Sequence, residues 1–228
     1  MKVITTSFLI LFFLAVTNST NAQSEKTKWE NSGFKNVEYK EYAKNEFSGF
    51  THALDLTLVN LRGSGWTEPL IKKTIKRVAE VYAQIGVKIE NVKYFEVDPP
   101  YGRVDISDEK DQDFDLAKLL PTNKRPVIFF IKSNIEGDSG FAWTKDNANP
   151  PLADIAFITY KVNSSDYIKK REKGYSTTAH EIAHILCECD HIEGTDYNIL
   201  SRYYARQNSS FNEEQIIAIK NSPLLRKL

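Results

Sequence analysis

Three of the four histidines in this chain fall within the segment HEIAHILCECDH, at positions 180–191. His180 and His184 are four residues apart, so on a helix both imidazoles project from one face and can hold one metal ion. Glu181 lies near that face and can take a proton from a water molecule that such an ion activates. Packing alone does not explain histidines clustered in this way, so the pattern indicates a zinc-dependent hydrolase.

A zinc ion held by two histidines needs a third protein ligand. His191 is the first candidate, because it lies seven residues after His184, where the helix should have ended and the chain turned back. Asp190 is the close alternative, and it could otherwise orient a ligand imidazole from behind. The other candidates are displaced along the helix axis or distant in sequence: Cys187, Glu213 and Glu214.

The chain has two cysteines, Cys187 and Cys189. Two residues apart on a helix, their side chains would point in different directions and would not meet. We therefore expect two free, mostly buried thiols, with Cys187 packed beneath the site.

The segments around the motif predict the elements that position it. Apolar alternation or wholly apolar composition predicts strands at 52–61, 87–95, 126–131, 139–143 and 153–160. An amphipathic helix begins after Thr67 and is closed by Gly86, and a second helix begins near Ser176 and carries the motif. Asn212 caps a last helix, with Gln215 completing a capping box. This order predicts an α+β fold: a mixed sheet, one long helix packed on it, and a helix that bears the site.

The N-terminal region predicts export. Residues 1–22 have the features of a secretory signal peptide. They are a positively charged N-terminus, an apolar run at 8–16 and a small-residue cleavage site before Gln23. The polar residues 23–47 are expected to form a tail, a wrap over the domain or a pro-segment, which leaves residues 48–228 as the catalytic domain. The apolar run is too short to cross a bilayer and no second run follows it. We expect a secreted or periplasmic protein without a membrane span.

The charge balance argues against nucleic acid as a partner. The chain has 30 Lys and Arg residues and 30 Asp and Glu residues, so its formal net charge is zero. No electrostatic footprint for nucleic acid follows from such a balance. An acidic run holds Asp111, Asp113 and Asp115 at the spacing that opens a calcium loop, but it lacks the glycine and the closing glutamate of such a loop. We expect this run to be a solvated loop.

The motif and its surroundings resemble the metzincin metallopeptidases, whose pattern is HExxHxxGxxH followed by a methionine-containing turn. The segments VNLRGSGW, YAQIGVKI, SGFAW and FNEEQIIAIKNSPLL are similar to secreted bacterial members of this group, over about residues 50–225. The resemblance implies a metzincin-like mixed sheet with a packed helix and an active-site helix carrying HExxH. It also implies a zinc site of His180, His184 and His191, with Glu181 as the base.

The chain departs from the metzincin pattern at three positions. Cys187 stands where the family has its glycine. The third histidine of the pattern would fall on Asp190, so His191 comes one residue late. The resemblance implies that residues 197–201 (YNILS) form the turn, in which Leu200 replaces the methionine and conserves its volume.

Motif and resemblance together predict a secreted zinc-dependent metallopeptidase that cleaves a peptide or protein substrate, with Zn²⁺ as cofactor and Glu181 as general base. The strand at 139–143 could pair with an extended substrate. Tyr203 and Tyr204 are expected to pack the C-terminal part rather than bind an oxyanion. The alternative is a non-catalytic secreted binding or structural protein: the late third ligand favours it, and the intact Glu181 argues against it. A zinc hydrolase of non-peptide substrates is a third hypothesis.

Overall fold

The computed structural model describes residues 30–31, 49–98, 116–117, 125–132, 140–145, 148, 152–160, 176–193, 198–201 and 210–228. The predicted signal peptide, nearly all of the segment at 23–47, the acidic run around Asp111, and Tyr203 and Tyr204 lie outside these residues.

Within the described residues, seven strands form one mixed sheet in the order β1-β3-β2-β4-β6-β5, with β7 also paired to β2. The strands are β1 (Glu30–Asn31), β2 (His52–Leu61), β3 (Val87–Val97), β4 (Val127–Ile131), β5 (Gly140–Trp143), β6 (Ile155–Thr159) and β7 (Leu225–Lys227). The four central strands β3, β2, β4 and β6 run parallel. Strands β1, β5 and β7 pair antiparallel with their neighbours. The predicted α+β fold with a mixed sheet is confirmed.

Three helices accompany the sheet in the part of the chain that the structure describes: α1 (Glu68–Ala83), α2 (Thr177–Cys187) and α3 (Glu213–Lys220). Helix α1 follows Thr67 as predicted, although the Thr67 side chain makes no capping hydrogen bond. Gly86 takes a φ of 75° in the turn between α1 and β3, a conformation that glycine adopts at low cost. None of the described helices is long and apolar enough to cross a membrane.

The sheet is buried on both faces, so successive residues of β2 enter different cores. Leu58 packs in the core that contains α1 and α2, while Val59 packs in the core on the opposite face. Tyr82 of α1 is fully buried, and its hydroxyl donates a hydrogen bond to the Ala179 carbonyl oxygen at 3.0 Å. This bond joins α1 to α2 and places the motif helix between α1 and strands β5 and β6.

Two strands were not predicted from the sequence. β7 has only three residues, and two of them are exposed and basic, so it shows no apolar alternation. It pairs with His52–Leu54 of β2, and β4 pairs further along β2 with Thr57–Asn60. The other unpredicted strand, β1, is two residues long.

Candidate metal centre

Helix α2 begins as its sequence predicts. Ser176 is the N-cap, and its hydroxyl accepts a hydrogen bond from the Ala179 amide at 3.1 Å. The first turns of the helix are buried, including the polar side chains of His180 and Glu181. Buried polar groups require partners, so these two side chains are fixed by their surroundings rather than by solvent.

The structure brings three histidines of the motif together. Nε2 of His180 lies 3.1 Å from Nε2 of His184 and 3.1 Å from Nε2 of His191, and the remaining pair is separated by 3.3 Å. In a tetrahedral site with metal–nitrogen distances of about 2.0–2.1 Å, neighbouring nitrogens are about 3.3–3.4 Å apart. The three nitrogen–nitrogen distances are thus close to those expected in such a site. Within the described residues, they form a cluster that could hold a metal ion.

The proton positions of two rings follow from their carbonyl partners. Nδ1 of His180 lies 2.5 Å from the Ile199 carbonyl oxygen, and Nδ1 of His184 lies 2.6 Å from the Cys189 carbonyl oxygen. A carbonyl oxygen only accepts, so in both rings Nδ1 carries the proton and donates. In the neutral rings each Nε2 then presents a lone pair to the other across 3.1 Å. Such facing lone pairs repel one another, and a shared cation would remove that repulsion.

The electrostatics keep these rings neutral. Burial, followed by the neighbouring His184, lowers the pKa of His180 to about 3. Burial also lowers the pKa of His184, against the opposing effects of the Cys189 carbonyl and of Asp190. Both rings are therefore unprotonated at neutral pH, the state that metal binding requires.

The other sequence candidates for a third ligand lie elsewhere. Asp190 is exposed and is not part of the cluster. Asp190 was the predicted partner of a ligand imidazole. The carbonyl oxygens of Ile199 and Cys189 instead hold the rings of His180 and His184. Glu213 and Glu214 are exposed in the first turn of α3.

The prediction of two free thiols is wrong, because Cys187 and Cys189 form a disulfide. The prediction assumed that both residues lie on the helix. The helix ends at Cys187, and the next residue, Glu188, takes a left-handed conformation with φ of 54°. This turn brings Cys189 back toward Cys187, and it also excludes the Cys187 thiolate as a metal ligand.

Glu181 lies where α2 meets strand β5. A methyl group added at Gly140 of β5 would lie 2.8 Å from Cγ2 of Thr177, 3.0 Å from Oε1 of Glu181 and 3.1 Å from Cγ of Glu181, so a side chain there would force these groups to shift. The carboxyl group therefore sits between the helix that carries the histidines and β5, which lies at one end of the sheet among the described strands.

The predicted turn lies against His180. The structure describes its residues Asn198–Ser201; Ile199 and Leu200 are fully buried, and Leu200 packs in the core shared by α1 and α2. Sequence reasoning missed the part that the Ile199 and Cys189 carbonyl oxygens play. A backbone carbonyl can come from any residue type, so nothing in the sequence marks these two positions.

Comparison with models of known protein families gives no match, and comparison with curated protein sequences gives none either. Among solved structures, the chain is similar to metalloproteinase-II from Bacteroides fragilis, at 15% identity and a TM-score of 0.49, over 91% of this chain and 68% of that chain. It is also similar to a chain in a chaperone–substrate complex, at 14% identity and a TM-score of 0.44, over 74% of this chain and 37% of that one. Both likenesses are too distant to bear on chemistry, so a function has to rest on the site itself.

Proposed function

We propose that this chain is a zinc-dependent metallopeptidase that hydrolyses peptide bonds. The observation that carries the proposal is the convergence of three Nε2 atoms at 3.1–3.3 Å, with Glu181 one residue after the first of these histidines. Three imidazoles suit zinc, and three protein ligands leave a fourth position open, as in catalytic rather than structural zinc sites.

The histidines would hold the metal, each through Nε2. When bound, zinc supplies Lewis-acid chemistry: it polarises a carbonyl group and makes water acidic near neutral pH. His191 is exposed whereas His180 is buried, so the cluster faces solvent on the His191 side. A substrate can approach from that side.

Glu181 would move the proton. Its carboxyl group would accept a proton from the attacking water and deliver it to the leaving amine. A purely structural metal site has no need of a carboxylate beside its first ligand. The position of Glu181 therefore favours a hydrolase over a binding protein.

Strand β5 would orient the substrate. Among the described strands it lies at one end of the sheet order, and all four of its residues are partly exposed. An extended peptide can add to such an edge through main-chain hydrogen bonds. Since Glu181 lies against Gly140 of this strand, a peptide paired there would pass close to the carboxyl group.

The test is a metal analysis of the purified protein beside a cleavage assay on an unfolded protein substrate. We expect close to one zinc per chain, cleavage that a chelator abolishes, and recovery when zinc is restored. Stoichiometric zinc without cleavage would instead support the non-catalytic binding protein. A chain that binds no zinc under any loading condition would overturn the metal site itself.

A further inference from the structure

The His180 ring depends on one backbone carbonyl. Its Nδ1 donates to the Ile199 carbonyl oxygen at 2.5 Å, and both residues are buried. Displacement of this carbonyl would let the imidazole rotate or would let the proton move from Nδ1 to Nε2, and either change would prevent Nε2 from binding the metal. The position of the Ile199 carbonyl is thus a requirement of the metal site.

Asn198 fixes the backbone that carries this carbonyl. Its Oδ1 accepts a hydrogen bond from the Leu200 amide at 2.8 Å, and its own carbonyl oxygen accepts one from the Ser201 amide at 3.1 Å. These two bonds enclose Ile199 in a tight turn. Asn198 is itself buried, so its side chain cannot turn to water if a partner is lost.

Gln215 of helix α3 holds the Asn198 side chain. Nδ2 of Asn198 donates to Oε1 of Gln215 at 2.8 Å, and Nε2 of Gln215 donates to Oδ1 of Asn198 at 3.1 Å. Gln215 also belongs to the capping box of α3, in which its Oε1 accepts from the Asn212 amide at 3.0 Å. Each amide oxygen therefore accepts two hydrogen bonds, and the pair leaves little freedom to either side chain.

We propose that Asn198 and Gln215 are positioning residues for the metal ligand His180. The described contacts form a continuous path from Gln215 through Asn198 and the Ile199 carbonyl to the ring. The start of α3 thereby sets the geometry of the metal centre without supplying a ligand. This inference rests on the proposed metal site, but it does not require that the chain cleaves peptides.

The test compares zinc affinities by competition with a chromophoric chelator. Gln215→Glu keeps the oxygen that caps α3 but loses the donor to Asn198, and Asn198→Asp loses the reciprocal donor. Each variant should raise the zinc Kd about tenfold or more, in line with the 10–100-fold effects of residues behind metal ligands. The visible spectrum of the Co²⁺-loaded protein should change as well, because it reports ligand geometry.

Asn212→Ala is the matched control. It removes the other half of the capping box, the bond from the Gln215 amide to Asn212 Oδ1, but leaves the pair with Asn198 in place. We expect its zinc Kd to stay within about twofold of the unchanged chain. An equal loss of affinity in Asn212→Ala and Gln215→Glu would overturn the inference, because the effect would then be helix stability alone.

A second measurement needs no variant. If the amide pair positions the ligand, bound zinc must stabilise the pair in return. Zinc should slow hydrogen exchange at the Leu200 amide and at the side-chain amides of Asn198 and Gln215. If zinc does not slow hydrogen exchange at these amides, or if both carboxylate variants bind zinc as tightly as the unchanged chain, this inference is wrong and the proposed function is unaffected. Failure of the unchanged chain to bind zinc would instead overturn the proposed function.

Discussion

The backbone amide of Glu188 donates a hydrogen bond to the carbonyl oxygen of His184 at 2.9 Å, and this bond ends the motif helix. Glu188 takes the left-handed conformation that commonly closes a helix. In the HExxHxxGxxH pattern the glycine falls at position 187, one residue earlier. In this chain the left-handed residue, Glu188, and the third histidine of the cluster, His191, each lie one residue after the glycine and histidine positions of that pattern.

This displacement predicts that His191 and not Asp190 is the third ligand. His191→Ala should weaken zinc binding by at least about 100-fold, because Nε2 of His191 lies within 3.3 Å of both other Nε2 atoms. Asp190→Asn should cost less than about tenfold, since Asp190 is exposed and does not belong to the cluster. Zinc dissociation constants from chelator competition measure both effects. The reverse order would transfer the ligand role to Asp190.

Zinc binding should require both histidines of the motif helix, His180 and His184. His180→Ala and His184→Ala should each lose most of the zinc that copurifies with the chain, measured by elemental analysis. The fourth histidine provides a matched control. His52 lies at the start of β2, outside the cluster, and its Nδ1 contacts the Thr51 hydroxyl at 2.8 Å. His52→Gln should keep the full zinc content, and stoichiometric zinc in both alanine variants would refute the site.

Much of this arrangement could be predicted from the sequence. Strand β2, the Ser176 cap and the capping box of α3 each have a local signal, in alternation or in a residue type at a fixed offset. The metal cluster was predictable because the i, i+4 spacing of His180 and His184 is enforced by the helix itself.

Other parts of the site depend on where the backbone turns, and the sequence indicates these turns only weakly. The disulfide was missed because a non-glycine residue, Glu188, makes the left-handed turn that brings Cys187 and Cys189 together. The pair of Asn198 and Gln215 joins residues 17 positions apart through side chains common on any surface. Only the packed fold shows that both are buried.

Gly140→Ala should impair catalysis without removing the metal. The new methyl group would lie 2.8 Å from Cγ2 of Thr177 and 3.0 Å from Oε1 of Glu181, so these groups must shift. We expect kcat/KM to fall by about 10–100-fold, because small misplacements of a catalytic group have effects of this size. Zinc content should not change.

A second substitution separates the two contacts made by the new methyl group. Thr177→Ser, added to Gly140→Ala, removes Cγ2 but leaves the contact with Glu181. If displacement of Glu181 causes the loss, the double variant should stay impaired. Full recovery in the double variant would assign the loss to Thr177.

The metal-free protein should lose stability in mild acid. Burial lowers the pKa of His180 to about 3, below its ordinary value of 6.5, so the unfolded chain binds the proton first as the pH falls. The free energy of unfolding should therefore decrease from about pH 6.5 downward, by roughly 2–3 kcal/mol from His180 by about pH 4.5. Urea unfolding with a chelator present measures this, and His180→Gln should show a shallower slope. A pH-independent midpoint would contradict neutral, buried rings.

The proposed roles of zinc and Glu181 are tested by comparing the unchanged chain with Glu181→Gln, each loaded with one equivalent of zinc, in cleavage of an unfolded protein substrate. We expect the two proteins to have equal zinc content and equal thermal stability within about 1 kcal/mol, but the variant to have a kcat/KM lower by about 10²–10⁴-fold, since the amide cannot accept the proton. Equal cleavage by the two proteins would contradict the role of Glu181, and no cleavage by the zinc-loaded unchanged chain would contradict the peptidase.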